Sequence, residues 1–259
     1  METGHAESAL IFALKNMTKE GLVTMSLLLL MSLASWTVIV GKAFGLRRQR
    51  KLAERFYEAF KGAADPFELV GRDGEFDGAP PYTVYDYACR EMTRQLDRFA
   101  PLVAPAGARR APSRVLAAVR AAAERGIGEE SVRLGAGMVI LALCISGGPF
   151  VGLTGTVFGV METFGGIAQA GQANLSAMAP GVAGALVNTV VGLIVAIPAL
   201  FAYNMLTTSA DALRLDMTNF AAELEANFVI DYIAIGGEGA PSDAGNPRGA
   251  AAPTRAVTH

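Results

Sequence analysis

The chain has 259 residues, 52% of them hydrophobic and 18% charged, with a mean hydropathy of +0.35 and a formal net charge of −2. That balance is too apolar for an ordinary soluble domain and too neutral for a global field that attracts nucleic acid, so no nucleic-acid partner is expected. Two cysteines, Cys89 and Cys144, and two terminal histidines, His5 and His259, leave no disulfide framework, thiolate metal site, internal triad or haem ligand, so no metal and no cofactor is expected.

Segment 1–20 precedes a first apolar run, Leu22 to Val40, which carries no charge and matches the roughly 20 residues a helix needs to cross a hydrocarbon core. Lys15 and Lys19 upstream suggest a signal peptide. Against that reading, the run is long for one, lacks a small-x-small cleavage site and ends in a basic cluster of Lys42, Arg47, Arg48, Arg50 and Lys51. The positive-inside rule puts that cluster in the cytoplasm and the N-terminus outside, with the helix at 21–44.

Residues 45–132 turn polar and read as a helical cytoplasmic domain, punctuated at Asp65-Pro66, Gly71 to Gly74, Gly78 to Pro81 and Pro101 to Pro112. Leu52, Phe56 and Phe60 share one helical face, as do Val84, Ala88, Met92, Leu96 and Phe99. Pro112 suits the first turn of a helix running to Glu124. These stripes read as helices packed on one another rather than as a docking face, and the region holds no repeat and no phosphate loop.

A second span is expected at 133–163, a connection at 164–178 and a third span at 179–206. Six arginines, from Arg109 to Arg133, precede the second span, whereas Thr163 to Ser176 has no Lys or Arg, which puts the connection outside. Beyond the third span, Leu213, Met217, Phe220, Leu224 and Phe228 keep helical spacing, so the helix either projects into the cytoplasm or restarts there over 207–234. The Gly/Ala/Pro/Ser-rich stretch 235–259 is expected to be disordered. The fold class is an all-α, multi-pass membrane protein with three transmembrane helices, N-out and C-in, and a helical cytoplasmic domain.

Small residues crowd the second and third spans: Gly135, Gly137, Gly147, Gly148, Gly152, Gly155 and Gly159 in one, Gly181, Gly184, Ala185 and Gly192 in the other. They permit close backbone approach, so these helices are packing surfaces as well as spans. Thr154, Thr156, Asn188 and Thr189 are polar groups at membrane depth that must bond to a neighbouring helix, their own helix or water. A lone membrane Thr bonds back to its own helix by default. Asn188 beside Thr189, facing a helix that carries Thr156, points instead to a polar lumen. Pro149 and Pro198 interrupt the two helices and predict kinks.

The runs Pro149-Phe-Val-Gly-Leu-Thr-Gly-Thr-Val-Phe-Gly-Val-Met161 and Ala179-Pro-Gly-Val-Ala-Gly-Ala-Leu-Val-Asn-Thr-Val-Val-Gly-Leu-Ile-Val-Ala-Ile-Pro-Ala-Leu-Phe-Ala-Tyr-Asn204 resemble the signature of the ExbB/TolQ/MotA family, closest to ExbB. The resemblance implies a homopentamer in the lipid of a bacterial inner membrane, its second and third helices lining a central pore. The pore would hold an ExbD/TolR-like single-span partner whose membrane Asp carries the proton, and the motor would drive a TonB- or TolA-like protein. Thr156 and Thr189 match the family's pore threonines, whose hydroxyls both donate to and accept from a carboxylate. The family's third-helix Glu is replaced here by Gly184. Glu162, level with Gly184 at about 8 Å outward of the threonines, is the candidate replacement, against the simpler reading of a carboxylate that meets water at a helix end.

Two other classes compete. A non-conducting membrane scaffold has no need of Asn188 and Thr189 inside a span, and an intramembrane enzyme needs an Asp or His that no span supplies. MotA itself has four spans where three are expected here. TonB-linked and Tol-type roles, and proton and sodium coupling, stay open.

Overall fold

A computed structural model describes residues 19–103, 111–170 and 175–233. The readings for residues 1–18 and for the 235–259 tail lie outside the described residues. Among the described residues six helices follow in chain order: α1 (Lys19–Gly62), α2 (Asp73–Phe76), α3 (Pro80–Val103), α4 (Val115–Gly135), α5 (Met138–Ala170) and α6 (Leu175–Tyr232). Three of them, α1, α5 and α6, are long and apolar enough to cross a membrane. At about 1.5 Å per residue the 44-residue α1 and the 58-residue α6 exceed a hydrocarbon core of about 30 Å at least twofold, so each is long enough to span it and project beyond. The third span therefore does not restart beyond the membrane. It runs on unbroken, and both α5 and α6 continue as helix through Pro149 and Pro198.

The projecting parts of α1 and α6 close with α2, α3 and α4 into a helical lobe. Leu213, Met217, Phe220, Leu224 and Phe228 are all buried there, as are Val84, Ala88, Met92 and Leu96, so the helical spacing of both stripes marks real packing faces. Phe56 is the hub: its ring lies 5.4 Å from those of Phe76 and Phe220 and 5.6 Å from Tyr85, each edge-on. Bidentate hydrogen bonds from Arg120 to Glu225, at 2.8 and 3.0 Å, tie α4 to α6.

The apolar stretch that begins at Arg133 is not one helix. α4 ends at Gly135, and Gly137, with φ +82°, turns the chain before α5 starts at Met138. A side chain would strain that backbone, so the turn calls for glycine. The end of α4 leaves carbonyls without intrahelical partners. Lys42 of α1 supplies donors, its Nζ bonding Arg133 O and Leu134 O at 3.0 Å each. A cation at a helix C-terminus is also favoured by the helix dipole.

Within α3, Glu91 accepts hydrogen bonds from Arg94 Nη2 and Gln95 Nε2, both 2.7 Å. Burial disfavours the Glu91 carboxylate, but these two bonds and the charge of Arg94 outweigh it and hold the carboxyl below its usual range. A carboxyl depressed in the folded state adds stability above its unfolded pKa and loses it as pH falls through the folded value. Glu91→Gln is accordingly expected to lower thermal stability at pH 7 and to make the loss on acidification below about pH 4.5 shallower than in the unchanged protein, as read from melting curves against pH.

Candidate functional site: the α5–α6 seam and its junction with α1

α5 and α6 run antiparallel at a separation set by glycine. A Cβ on Gly192 would lie 2.5 Å from Gly148 O, and one on Gly152 would lie 2.6 Å from Asn188 O and 3.0 Å from Thr189 Cα. One on Gly181 would collide with Thr163 Oγ1. Backbone meets backbone along the seam, the small-residue mode of membrane helix packing. Gly159 and Gly184 are buried as well.

Thr156 and Thr189 meet across this seam. Thr189 Oγ1 donates to Thr156 Oγ1 at 3.3 Å, and Thr156 Oγ1 donates to Leu153 O at 2.6 Å. Thr156 is buried and Thr189 half-buried. Thr154, two residues away, is exposed and bonds only back to Phe150 O. Default back-bonding thus describes Thr154 fully and Thr156 in part. At 3.3 Å the inter-threonine bond is long for a hydroxyl pair, so little is lost if a third oxygen takes one partner.

Asn188 and Glu162 do not join the two threonines. Successive residues of a helix point about 100° apart, so Asn188 faces away from Thr189's contact. Its side chain is fully buried against Gly155, and neither its Nδ2 nor its Oδ1 has a hydrogen-bond partner among the described residues. Across the same glycine stands Thr24 of α1, whose hydroxyl donates to Gly21 O at 2.9 Å. Glu162 lies two turns beyond Gly155 on that face of α5, and its side chain neighbours that of Glu20 at the start of α1.

Much of α1 is exposed: 17% of its most apolar window is buried, against 33% for each of α5 and α6. Its inner face is nonetheless specific. Gly21, Leu28 and Ser35 are buried at seven-residue spacing, with Lys42 next in the series. That spacing of small and polar residues inside an apolar run is the signal that marks Thr24 and Lys42 as inward groups. Ser26 and Thr37, off this face, are exposed and bond only to their own helix. No metal-binding group of His, Cys, Asp and Glu occurs among the described residues.

Residues 92–219, which hold the whole seam, match the model of the MotA/TolQ/ExbB proton channel family. The chain is 32% identical over 197 residues to the Tol-Pal system protein TolQ of Pseudomonas aeruginosa, covering 75% of this chain and 81% of the relative. It is 30% identical over 206 residues to the biopolymer transport protein ExbB of Xanthomonas campestris, covering 80% of each. Against ExbB of Salmonella typhimurium the identity is 40% over 101 residues, 39% of this chain. A glycine-spaced antiparallel pair with two facing threonines, the match across that pair and the Pseudomonas and Xanthomonas relatives matched over most of their length lead to one conclusion: the chain belongs to the MotA/TolQ/ExbB proton channel family.

Proposed function

We propose that the chain is the channel-forming subunit of an inner-membrane motor of the ExbB kind. It assembles as a homopentamer, N-terminus out and C-terminus in, around an ExbD/TolR-like partner, and it uses the proton gradient to energise outer-membrane transport through a TonB-like protein. The observation that carries this reading is the Thr189–Thr156 hydrogen bond, a hydroxyl pair at membrane depth between the two most closely packed spans. Hydroxyls stabilise either protonation state of a partner Asp without adding fixed charge, which suits a group that must load and release a proton. Gly184 leaves its position in the span of α6 without a carboxylate, and Glu162, beside Glu20, supplies acidic character at the outer end of α5 instead.

The similarity to TolQ of Pseudomonas aeruginosa favours a second reading, envelope maintenance through a TolA-like protein. One genetic experiment separates the two. Deleting the gene is expected to abolish energised uptake of TonB-dependent ligands and to leave detergent resistance intact; detergent sensitivity with normal uptake would establish the Tol role. In the same strain Glu162→Gln is expected to lower uptake several-fold, and full uptake would remove Glu162 from the path.

A further inference from the structure

Asn188 presents a problem that the proton-channel reading does not solve. Its side chain is completely buried, and both polar atoms of its carboxamide are without a protein partner among the described residues. Leaving a buried amide unpaired carries a heavy desolvation penalty, and nearly all such groups in folded proteins have a partner, ordered water included. Because Asn188 is enclosed within one chain, neither lipid nor a neighbouring copy reaches the amide without first displacing the side chains around it.

A second polar group stands beside it. A Cβ built on Gly155 would lie 2.5 Å from Thr24 Oγ1 and 2.7 Å from Asn188 Nδ2, so the absent side chain leaves both polar groups flanking one point on α5. The Thr24 hydroxyl spends its proton on Gly21 O and keeps lone pairs to accept with. A water between the two helices has a donor in Asn188 Nδ2 and acceptors in Asn188 Oδ1 and Thr24 Oγ1, the two to four partners that a buried water takes. One turn outward along α1 stands Glu20, and about 10 Å outward along α5 stands its neighbour Glu162, which is exposed. The mouth of this seam is thus lined by two carboxyl groups, which draw water to the ends of α1 and α5. In the other direction the seam is apolar: Leu28 is fully buried, and Met31 packs against Gly147.

We propose that the seam between α1 and the α5–α6 pair is a hydrated inlet that runs from Glu20 and Glu162 to a buried water on Asn188 and Thr24. Each chain then carries its own aqueous well, closed below by Leu28 and Met31, that brings water and exchangeable protons to the membrane depth of Thr189 without entering the space between chains. Its role in proton supply rests on the proton-channel reading and on the N-out orientation; the hydration itself depends on neither.

The test uses the assembled protein in detergent, with Cys89→Ala and Cys144→Ala removing the native thiols and Thr24→Cys placing one at the proposed water. Aqueous Ag+, close to water in size, is added, and after denaturation the remaining thiol is counted with a maleimide. Ag+ is expected to consume the thiol at position 24, to do so at least tenfold more slowly when Asn188→Leu is added, and at nearly the original rate with Asn188→Ser. A thiol placed by Met31→Cys, beyond the closed end, is expected to survive. An unreactive Thr24→Cys, or equal rates with Asn188 and Asn188→Leu, overturns the inlet. The unreactive outcome is read without any change at Asn188, so it stands even if Asn188→Leu fails to assemble. No proton conduction by the unchanged protein, with normal silver access at position 24, would count against the channel reading alone.

Discussion

Gly152→Ala is expected to destabilise the protein by about 1–3 kcal/mol, whereas Gly165→Ala, on the same helix, changes stability by no more than about 0.5 kcal/mol. The added methyl at 152 would lie 2.6 Å from a carbonyl oxygen and 3.0 Å from a Cα, both on the α6 backbone, while at 165 nothing lies within 4 Å. Backbone within a packed helix cannot swing aside as a flexible side chain does. The strain is therefore relieved only by moving α5 from α6, which forfeits dispersion contacts along the seam. Alanine is the better helix former, so propensity alone predicts stabilisation at both positions, the opposite of what is expected at 152. Thermal or denaturant melting of the purified assembly measures the difference. A Gly152→Ala protein as stable as its Gly165→Ala counterpart would mean that the helices do not meet as closely as described.

The same substitution reaches the site. Asn188 O and Thr189 Cα are the atoms that the new methyl would meet, and Thr189 holds the hydroxyl that bonds Thr156. With that bond already at 3.3 Å, even a small separation breaks it. Stability and activity are thus expected to fall together in Gly152→Ala. They are expected to separate in Thr156→Val and Thr189→Val, which keep the shape of the side chain and remove only the hydroxyl.

Much of this was legible in the amino-acid sequence, for identifiable reasons. Three uncharged runs of membrane length have few folded alternatives, because a bilayer leaves the backbone no partner but its own helix. The Leu213 to Phe228 stripe persisted at helical spacing because one face of α6 is buried throughout the lobe. Thr156 and Thr189 were visible as uncompensated hydroxyls in apolar surroundings. Other features depended on information that residue identity does not carry. Gly135 and Gly137 read as packing residues like the other glycines of the span, yet Gly137 is a turn with positive φ that separates α4 from α5. Asn188 and Thr189 read as one polar pair, but adjacent helical positions diverge: Asn188 packs on Gly155 beside Thr24 of α1, whereas Thr189 bonds Thr156. Glu162 was matched to Gly184 by depth alone. Its direction around α5, toward Glu20, comes from the packing of α1, a helix whose inner face is only a thin heptad stripe within an apolar run.

The central claim is that the facing hydroxyls of α5 and α6 serve proton transfer rather than packing. In proteoliposomes containing the chain and its single-span partner, with an imposed pH gradient and a trapped pH dye, the unchanged protein is expected to conduct protons. Thr156→Val/Thr189→Val is expected to assemble with a stability change of about 1 kcal/mol or less and to conduct about tenfold less or lower still, since a hydrogen bond to a charged group contributes about 1.5–3 kcal/mol. Proton flux in the doubly substituted assembly equal to that of the unchanged protein would contradict the claim.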